Sequence, residues 1–247
     1  MPYSQPQANL LDGMIERINA AKPAFAVHVG DITSGRGPCG DEWLEARKEQ
    51  FARFAVPFVL LPGDNDWTDC HRTGFDPKER LAKWRELFCV PVPGLALVRQ
   101  PGAYCENVRW VADGLVFVGL HVVGSNNNLG EDPIEHGERM EAVLRWLDEA
   151  EALARGHAGL VVLMQANPFV RPRLGGANGF DAILARLRRL GEAMPGRVLL
   201  VNGDTHAFKD DEPLPGLRRT EVYGWPHMKW TRLTAGGEPR FLLEPAE

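Results

Sequence analysis

The sequence predicts an α/β fold, on three observations. Short apolar, β-branched runs alternate with amphipathic stretches at helical spacing along most of the 247 residues. Several of those runs stop abruptly at glycine or a polar cluster, the mark of buried strands that end in tight turns. No composition break, repeat or low-complexity segment divides the chain. One domain over residues 1–247 is therefore expected, with a loop-rich insertion at about 67–104, a stretch rich in proline and glycine.

Taken in order, Leu10, Leu11, Met14, Ile15 and Ile18 predict a helix from about Ala8 to Ala21. Phe25–Val29 reads as a buried strand ending at Gly30-Asp31. Asp41 suits the cap of a helix running to about Phe54. Phe58–Leu61 is the next strand, cut off by Pro62-Gly63 and followed by Asp64-Asn65-Asp66. Pro77 fits the first position of a helix reaching Phe88. Val108–Ala112 and Leu115–Val123 flank Asp113-Gly114, a hairpin signal. Gly124-Ser125-Asn126-Asn127-Asn128 follows, and then an amphipathic helix from about Gly137 to Arg155. Leu160–Met164 is a strand ending at Gln165. A helix from about Phe180 to Ala193 carries Arg186, Arg188 and Arg189 on an expected solvated face. Val198–Val201 is a strand ending at Asn202-Gly203-Asp204-Thr205-His206. Shorter β segments around Arg219–Tyr223, Lys229–Leu233 and Arg240–Leu243 finish the chain.

Composition excludes little beyond the extremes. Apolar content of 44% and charged content of 25% are those of an ordinary globular protein. A net charge of −5 gives no nucleic-acid signal and no reason to expect an anionic membrane. No apolar run approaches the roughly 20 residues that span a bilayer. The start carries no export signal, so the compartment stays open: periplasmic or secreted if a signal segment lies upstream of Met1, cytoplasmic otherwise. The four cysteines form no CxxC pair. Two disulfides, Cys39–Cys70 and Cys89–Cys105, are the preferred pairing, against four reduced thiols in a reducing compartment. Oligomeric state is not legible.

The chemistry sits at the strand ends. Parallel strands bring equivalent ends to one rim, where ligands of α/β proteins gather. Asp31, Asp64, Gln165, Asp204 and His206 would meet there. Oxygen donors with one imidazole suit Mg²⁺, Mn²⁺, Zn²⁺ or Fe²⁺, and two ions sharing a carboxylate can clamp a phosphoryl group.

The order Gly30-Asp31, Gly63-Asp64-Asn65-Asp66, Gln165, Gly203-Asp204-Thr205-His206 resembles the calcineurin-like metallophosphoesterases over nearly the whole chain. The resemblance implies a four-layer αββα sandwich around a two-metal site. It implies Asp31 as the bridging ligand, Asp64, Gln165 and Asp204 around a second ion, and His206 on the first. The family opens with a strand ending in Asp-x-His. Here Pro2 falls at the histidine position and the aspartate falls before Met1, which implies a shortened start and weak occupancy of the first ion. Asn65 stands where the family has a proton-donating histidine, and an asparagine cannot act as that acid. His71 is the nearest substitute. Arg72, Asn126 and Asn127 are the candidates for holding phosphate oxygens. The added carboxylates, Asp64 and Asp204, favour Mg²⁺, Mn²⁺ or Ca²⁺ over Zn²⁺ or Fe²⁺.

Other residues read as structural. His28 and His121 are expected in the core, and His136 and His157 at helix ends or on the surface; His227 is ambiguous. The tryptophans of Tyr223-Gly-Trp-Pro-His-Met-Lys-Trp230 are expected to close the core, and the charges on Glu138–Arg155 to form a solvated, i,i+4-paired face. The functional expectation is metal-assisted hydrolysis of a phosphate ester in a small-molecule or phosphorylated substrate. The alternative is a catalytically impaired relative that binds a ligand or partner at the same rim.

Overall fold

The computed structural model describes residues 1–170, 176–236 and 240–246. Helix α1 (Gln5–Ala21) buries Ala8, Leu11, Met14, Ile15 and Ile18 on one stripe. It stops where Lys22 turns left-handed and its N–H bonds back to Ile18 O. Strand β1 (Ala26–His28) runs parallel to β2 (Phe58–Leu60), and between them lies α2 (Asp41–Phe51). A 3-10 turn, Thr68–Thr73, precedes α3 (Pro77–Phe88), which Asp76 caps by accepting from Lys78 N at 2.8 Å. Then come β3 (Val98–Arg99), β4 (Val108–Ala112), β5 (Leu115–Gly119), the one-turn α4 (Gly124–Asn127), α5 (Pro133–Ala154), β6 (Gly159–Leu163) and α6 (Asp181–Ala193). Strands β7 (Val198–Asn202), β8 (Lys209–Leu214), β9 (Leu217–Glu221), β10 (Trp230–Ala235) and β11 (Phe241–Ala246) complete the chain.

Seven strands form one mixed sheet in the order β3-β4-β5-β6-β7-β9-β8, with β5, β6, β7 and β9 mutually parallel. Buried on both faces, β5 to β7 read as unbroken apolar runs. One face packs on α5 and α6 through Val118, Leu147, Val162, Leu187 and Leu200. The other meets Val59 and Leu61, with Leu233 and Leu243 of the β10–β11 hairpin alongside. Behind β1 and β2, α1, α2 and α3 close the molecule around Ile15, Leu44, Leu60 and Trp84. The layers are thus α, β, β, α. The second β layer consists of two separate two-stranded pieces, β1–β2 and β10–β11.

Four expectations need correcting. Arg186 does not face solvent: it is 6% exposed and pairs with Asp148 and Glu151 of α5. Arg139 likewise leaves the solvated face of α5, fully buried against Glu135 and Asn127. Strand β8 was not expected from Lys-Asp-Asp-Glu-Pro-Leu; it forms because β9 offers it a ladder, and its charges suit a sheet edge. Trp225 is 39% exposed rather than core, whereas Trp230 packs against the helical layer. Boundaries shift for local reasons too. Helix α5 starts at Pro133, not Gly137, because Asp132 accepts from Glu135 N. Strand β5 ends at Gly119, after which His121 N donates to the Asn107 side chain instead of a ladder partner. The Asp113-Gly114 hairpin has both residues left-handed, as its sequence requires. The cysteines pair as Cys39–Cys70 and Cys89–Cys105.

Candidate active site

The ends of β1, β2, β6 and β7 and the α4 turn meet at one rim. Asp66 ties the first two loops together: its fully buried carboxylate accepts from Gly63 N at 2.8 Å, Ile32 N at 2.8 Å and Asp31 N at 3.1 Å. That grip turns Asp31 left-handed, at φ 63°, and brings its carboxylate against Gly63. A Cβ at Gly63 would lie 2.0 Å from Asp31 Oδ1, so only glycine fits there. Asp31 Oδ1 accepts from Asn65 N at 3.3 Å and Oδ2 from Gln165 Nε2 at 3.0 Å. The same Gln165 amide reaches Asp204 Oδ1 at 3.3 Å, while its oxygen accepts from Gly124 N at 2.6 Å. Gly124 is the second cradle: a Cβ there would stand 2.6 Å from Asp64 Oδ2 and 2.8 Å from Asp204 Oδ1.

Asp31, Asp64 and Asp204 therefore converge across 173 positions of sequence separation between first and last (204 minus 31). Burial and mutual repulsion raise all of them. Burial lifts Asp64 to about 6, with Asp204 adding to it, and burial also lifts Asp66 to about 6. Asp31 rises well above the ordinary carboxylate range, through burial and then through Asp64 and Asp66; Asp204 rises through burial. Asp64 Oδ1 is buried and has no hydrogen-bond partner among the described residues. Such an oxygen is costly unless a cation takes it.

His206 is half-buried. Its Nδ1 lies 2.9 Å from Trp225 O, and its Nε2 lies 3.0 Å from the Tyr3 hydroxyl. A carbonyl can only accept, so Nδ1 carries the proton and Nε2 presents its lone pair, the arrangement of a metal-binding imidazole. Behind it, Glu221 of β9, fully buried, accepts from Thr205 N at 3.0 Å and from the Thr205 hydroxyl, and takes Asn167 Nδ2 at 2.8 Å. Glu221 thereby anchors the Asp204-Thr205-His206 loop. At the N-terminal end, Met1 N donates to Asp31 O and Met1 O accepts from His28 Nε2 at 2.9 Å. A cavity of about 310 Å³ runs from Asp31, Gln165 and Asp204 inward between β1 and β10.

The other candidates divide. Arg72 reaches the rim: Nη1 donates to Asp69 Oδ2 at 2.5 Å and Nη2 to Ser125 Oγ at 3.4 Å. Asn65 Oδ1 lies beside the same group, both meeting the space over Gly35. His71 is exposed, with Nδ1 against Thr68 O at 2.7 Å. Asn127 is a correction, and Asn126 is engaged with the backbone. Asn126 donates to Ala177 O and accepts from Gly179 N. Asn127 is fully buried, accepting from Val123 N and Arg139 Nη1 and donating to Gly179 O. Asn127, whose two N–H groups go to Gly179 O and Met140 Sδ, has no donor left for phosphate, while Asn126 holds the α4 turn with its oxygen and one N–H. Sequence reading passed over Asp66, Asp69, Ser125 and Glu221. The first two lie in the already prominent Asp64–Cys70 stretch; nothing local distinguishes Ser125 or Glu221 from ordinary polar residues.

The donor set fits a divalent ion in its chemistry: three converging carboxylates, one oxygen of them orphaned, and an imidazole whose Nε2 accepts from the Tyr3 hydroxyl. The spacing is wider than a closed ligand shell. Among the described residues, the one group of three His, Cys, Asp or Glu ligand atoms within 4.8 Å of one another is Cys89, Cys105 and Glu106, whose sulfurs are already bonded to each other. At the rim the Gln165 NH₂ lies between Asp31 and Asp204 instead. Gln165 thus faces the carboxylates with its donor end and not with the carbonyl a metal ligand would use.

The profile of the calcineurin-like phosphoesterases matches residues 5–208, and the chain belongs to that family. Family membership implies divalent metal ions and phosphoester hydrolysis as the family-level activity. Solved structures agree on the fold. A dimetal phosphatase from Danio rerio shares 16% identity, with 90% of this chain and 79% of that one covered and a TM-score of 0.57. PhoD shares 13%, with 88% and 54% covered and a TM-score of 0.59. GAP50 from Plasmodium, described as an anchor in the inner membrane complex, shares 12%, with 97% and 72% covered and a TM-score of 0.52. No curated protein sequence matches the chain. Among the described residues no helix is long and apolar enough to cross a membrane.

Proposed function

We propose that this protein hydrolyses phosphate esters of small or phosphorylated molecules at the Asp31–Asp64–Asp204 rim. The observation that carries the reading is the buried, partnerless Asp64 Oδ1 inside a group of carboxylates that burial and repulsion all push upward. Asp31, Asp64 and Asp204 would hold the ion, with His206 Nε2 as the nitrogen donor on the Tyr3 side. When bound, a divalent ion there would activate a water and offset charge on the phosphoryl oxygens. An oxygen-rich set favours Mn²⁺, Mg²⁺ or Ca²⁺ over Fe²⁺ or Zn²⁺.

The chain's own residues supply the rest. Arg72 grips a peripheral phosphate oxygen with a fork of N–H donors. The Asn65 amide orients the ester without donating an acid proton. His71, the nearest titratable imidazole on the loop, passes a proton to the leaving group. Gln165 spans Asp31 and Asp204 with its NH₂ and so sets their spacing. The two disulfides suit an oxidising compartment.

One observation favours a second reading, a non-catalytic rim. Gln165 Nε2 already bridges Asp31 and Asp204, which lessens the need for a cation. A panel of phosphomonoesters and diesters with Mn²⁺, Mg²⁺ and Ca²⁺ separates the two. Turnover abolished by EDTA and by Asp31→Asn supports the enzyme; a folded protein that turns over nothing supports the binding rim. Calorimetric titration should find one tight Mn²⁺ site, and two equal tight sites would count against this ligand set. Unchanged turnover in His71→Ala would remove His71 from the reaction.

A further inference from the structure

Resting on the phosphoesterase reading, the geometry points to Asp69 and Ser125 as positioning residues that aim Arg72 at the third free oxygen of a terminal phosphoryl group. The substrate class is then a phosphomonoester. Asp69 is 3% exposed yet carries no core role: its two oxygens are divided between Arg72 Nη1 at 2.5 Å and the Ser125 hydroxyl at 2.9 Å. Ser125 Oγ also lies 2.8 Å from Asp64 Oδ2. This hydroxyl therefore stands between the metal-side carboxylate and the carboxylate that orients the guanidinium, with one proton to give to either. The Arg72 side chain remains 44% exposed, so its outer N–H groups open onto the rim.

The backbone beneath Ser125 supplies an independent observation. Ser125, Asn126, Asn127 and Asn128 are left-handed in succession, at φ 48°, 53°, 55° and 64°. Asparagine tolerates that region; serine does so at a cost of about 1–2 kcal/mol. Strain of this kind persists only where surrounding contacts enforce it. Here they are the Asn126 and Asn127 bonds to residues 177 and 179, with Arg139 behind. The effect of the strained turn is to set one hydroxyl between Asp64 and Asp69. Cys70, next to Asp69, is tied to Cys39, which holds the Asp69 loop to the segment before α2.

Counting oxygens gives the selectivity. A monoester has three non-ester oxygens and a diester two. If two face the ion that Asp31, Asp64 and Asp204 would hold, the third exists only in the monoester, and in a diester an ester substituent takes its place. Arg72 held by Asp69 thus rewards the monoester and crowds the diester.

The test compares wild type with Asp69→Asn, Ser125→Ala, Arg72→Ala and Arg72→Lys. Substrates are p-nitrophenyl phosphate and bis-p-nitrophenyl phosphate, and inorganic phosphate binding with Mn²⁺ present is measured by calorimetry. Losing one charge-assisted hydrogen bond should raise the monoester KM and weaken phosphate binding about tenfold or more in Asp69→Asn. Monoester kcat should fall by less than KM rises. Ser125→Ala should move the same quantities less, Arg72→Ala should collapse the monoester-to-diester ratio, and Arg72→Lys should not restore it. Equal losses of kcat on both esters, or an unmoved monoester KM, would overturn the assignment. Should Asp69→Asn not fold, Arg72→Ala and Ser125→Ala decide alone. If wild type turns over neither ester, the hydrolase reading fails by itself. Phosphate binding weakened by Asp69→Asn or Ser125→Ala as well as by Arg72→Ala then upholds the positioning, and binding that only Arg72→Ala weakens, or that none weakens, overturns it.

Discussion

Stripping divalent ions should destabilise this protein more near pH 7.5 than near pH 5. Asp64 is almost fully buried, and its carboxyl stands at about 6 in the folded chain against an ordinary 3.8. A carboxyl raised on folding loses its proton first in the unfolded chain. Between 3.8 and about 6 the native state binds more protons, so stability falls as pH rises and stays low above that window. About two units at 1.36 kcal/mol each makes the penalty about 3 kcal/mol for Asp64 alone. About half of that falls between pH 5 and pH 7.5, and in a chain of this length each kcal/mol moves Tm by about 2–4 °C, which gives about 3–6 °C between the two pH values. A cation on the rim offsets the repulsion and restores that margin. The assay is thermal unfolding of EDTA-treated protein at both pH values, with and without Mn²⁺, beside Asp64→Asn. The EDTA-treated Tm should be lower near pH 7.5, and Mn²⁺ should raise it more there. Asp64→Asn should raise the metal-free Tm near pH 7.5 and lose most of the Mn²⁺ response. A metal-free Tm that is flat or rises over this range, or an Asp64→Asn protein that responds to Mn²⁺ like wild type, would refute the reasoning.

Two further outcomes follow from the same geometry. Gly124→Ala puts a methyl group 2.6 Å from Asp64 Oδ2 and 2.8 Å from Asp204 Oδ1, so those carboxylates must move apart. Mn²⁺ affinity by calorimetry should drop by an order of magnitude or more, while far-ultraviolet circular dichroism stays native. Opening the Cys39–Cys70 bridge, which spans 31 residues, should cost about 3–4 kcal/mol by loop entropy. Tm in dithiothreitol should fall by several degrees, with free thiols counted by mass spectrometry.

The chain's periodicity made most of the fold legible. Pro77 to Phe88 emerged as a helix because a proline at the first helical position is a local signal. The Asp113-Gly114 hairpin emerged because both residues must adopt positive φ. The buried strands emerged because a run covered on both faces is apolar throughout. The two cysteine pairs could be preferred but not decided, since pairing depends on compartment and on which loops meet. Local pattern misled where a neighbour from far away set the environment. Arg186 looks like a surface charge until Asp148 and Glu151 of α5 arrive beside it. Lys209–Leu214 looks like a loop until β9 presents a ladder edge.

At the candidate site the division is sharper. Asp31, Asp64 and Asp204 could be singled out because each follows a glycine at the end of an apolar run, and parallel strands share their ends. What the sequence could not contain was direction. Asn127 and Gln165 are polar groups at the right strand ends. Yet the first turns into the protein toward Arg139, and the second presents its NH₂ because Gly124 N claims its oxygen. Ser125 and Glu221 matter only through partners 16 to 61 residues distant, and Asp69 through Ser125, 56 residues on, as well as through nearby Arg72. A hydrogen bond is satisfied by geometry in three dimensions, whereas the sequence records only spacing along one. The chain therefore determined the strands, the turns and the carboxylates at their tips, and tertiary packing alone decided which of those side chains face the rim.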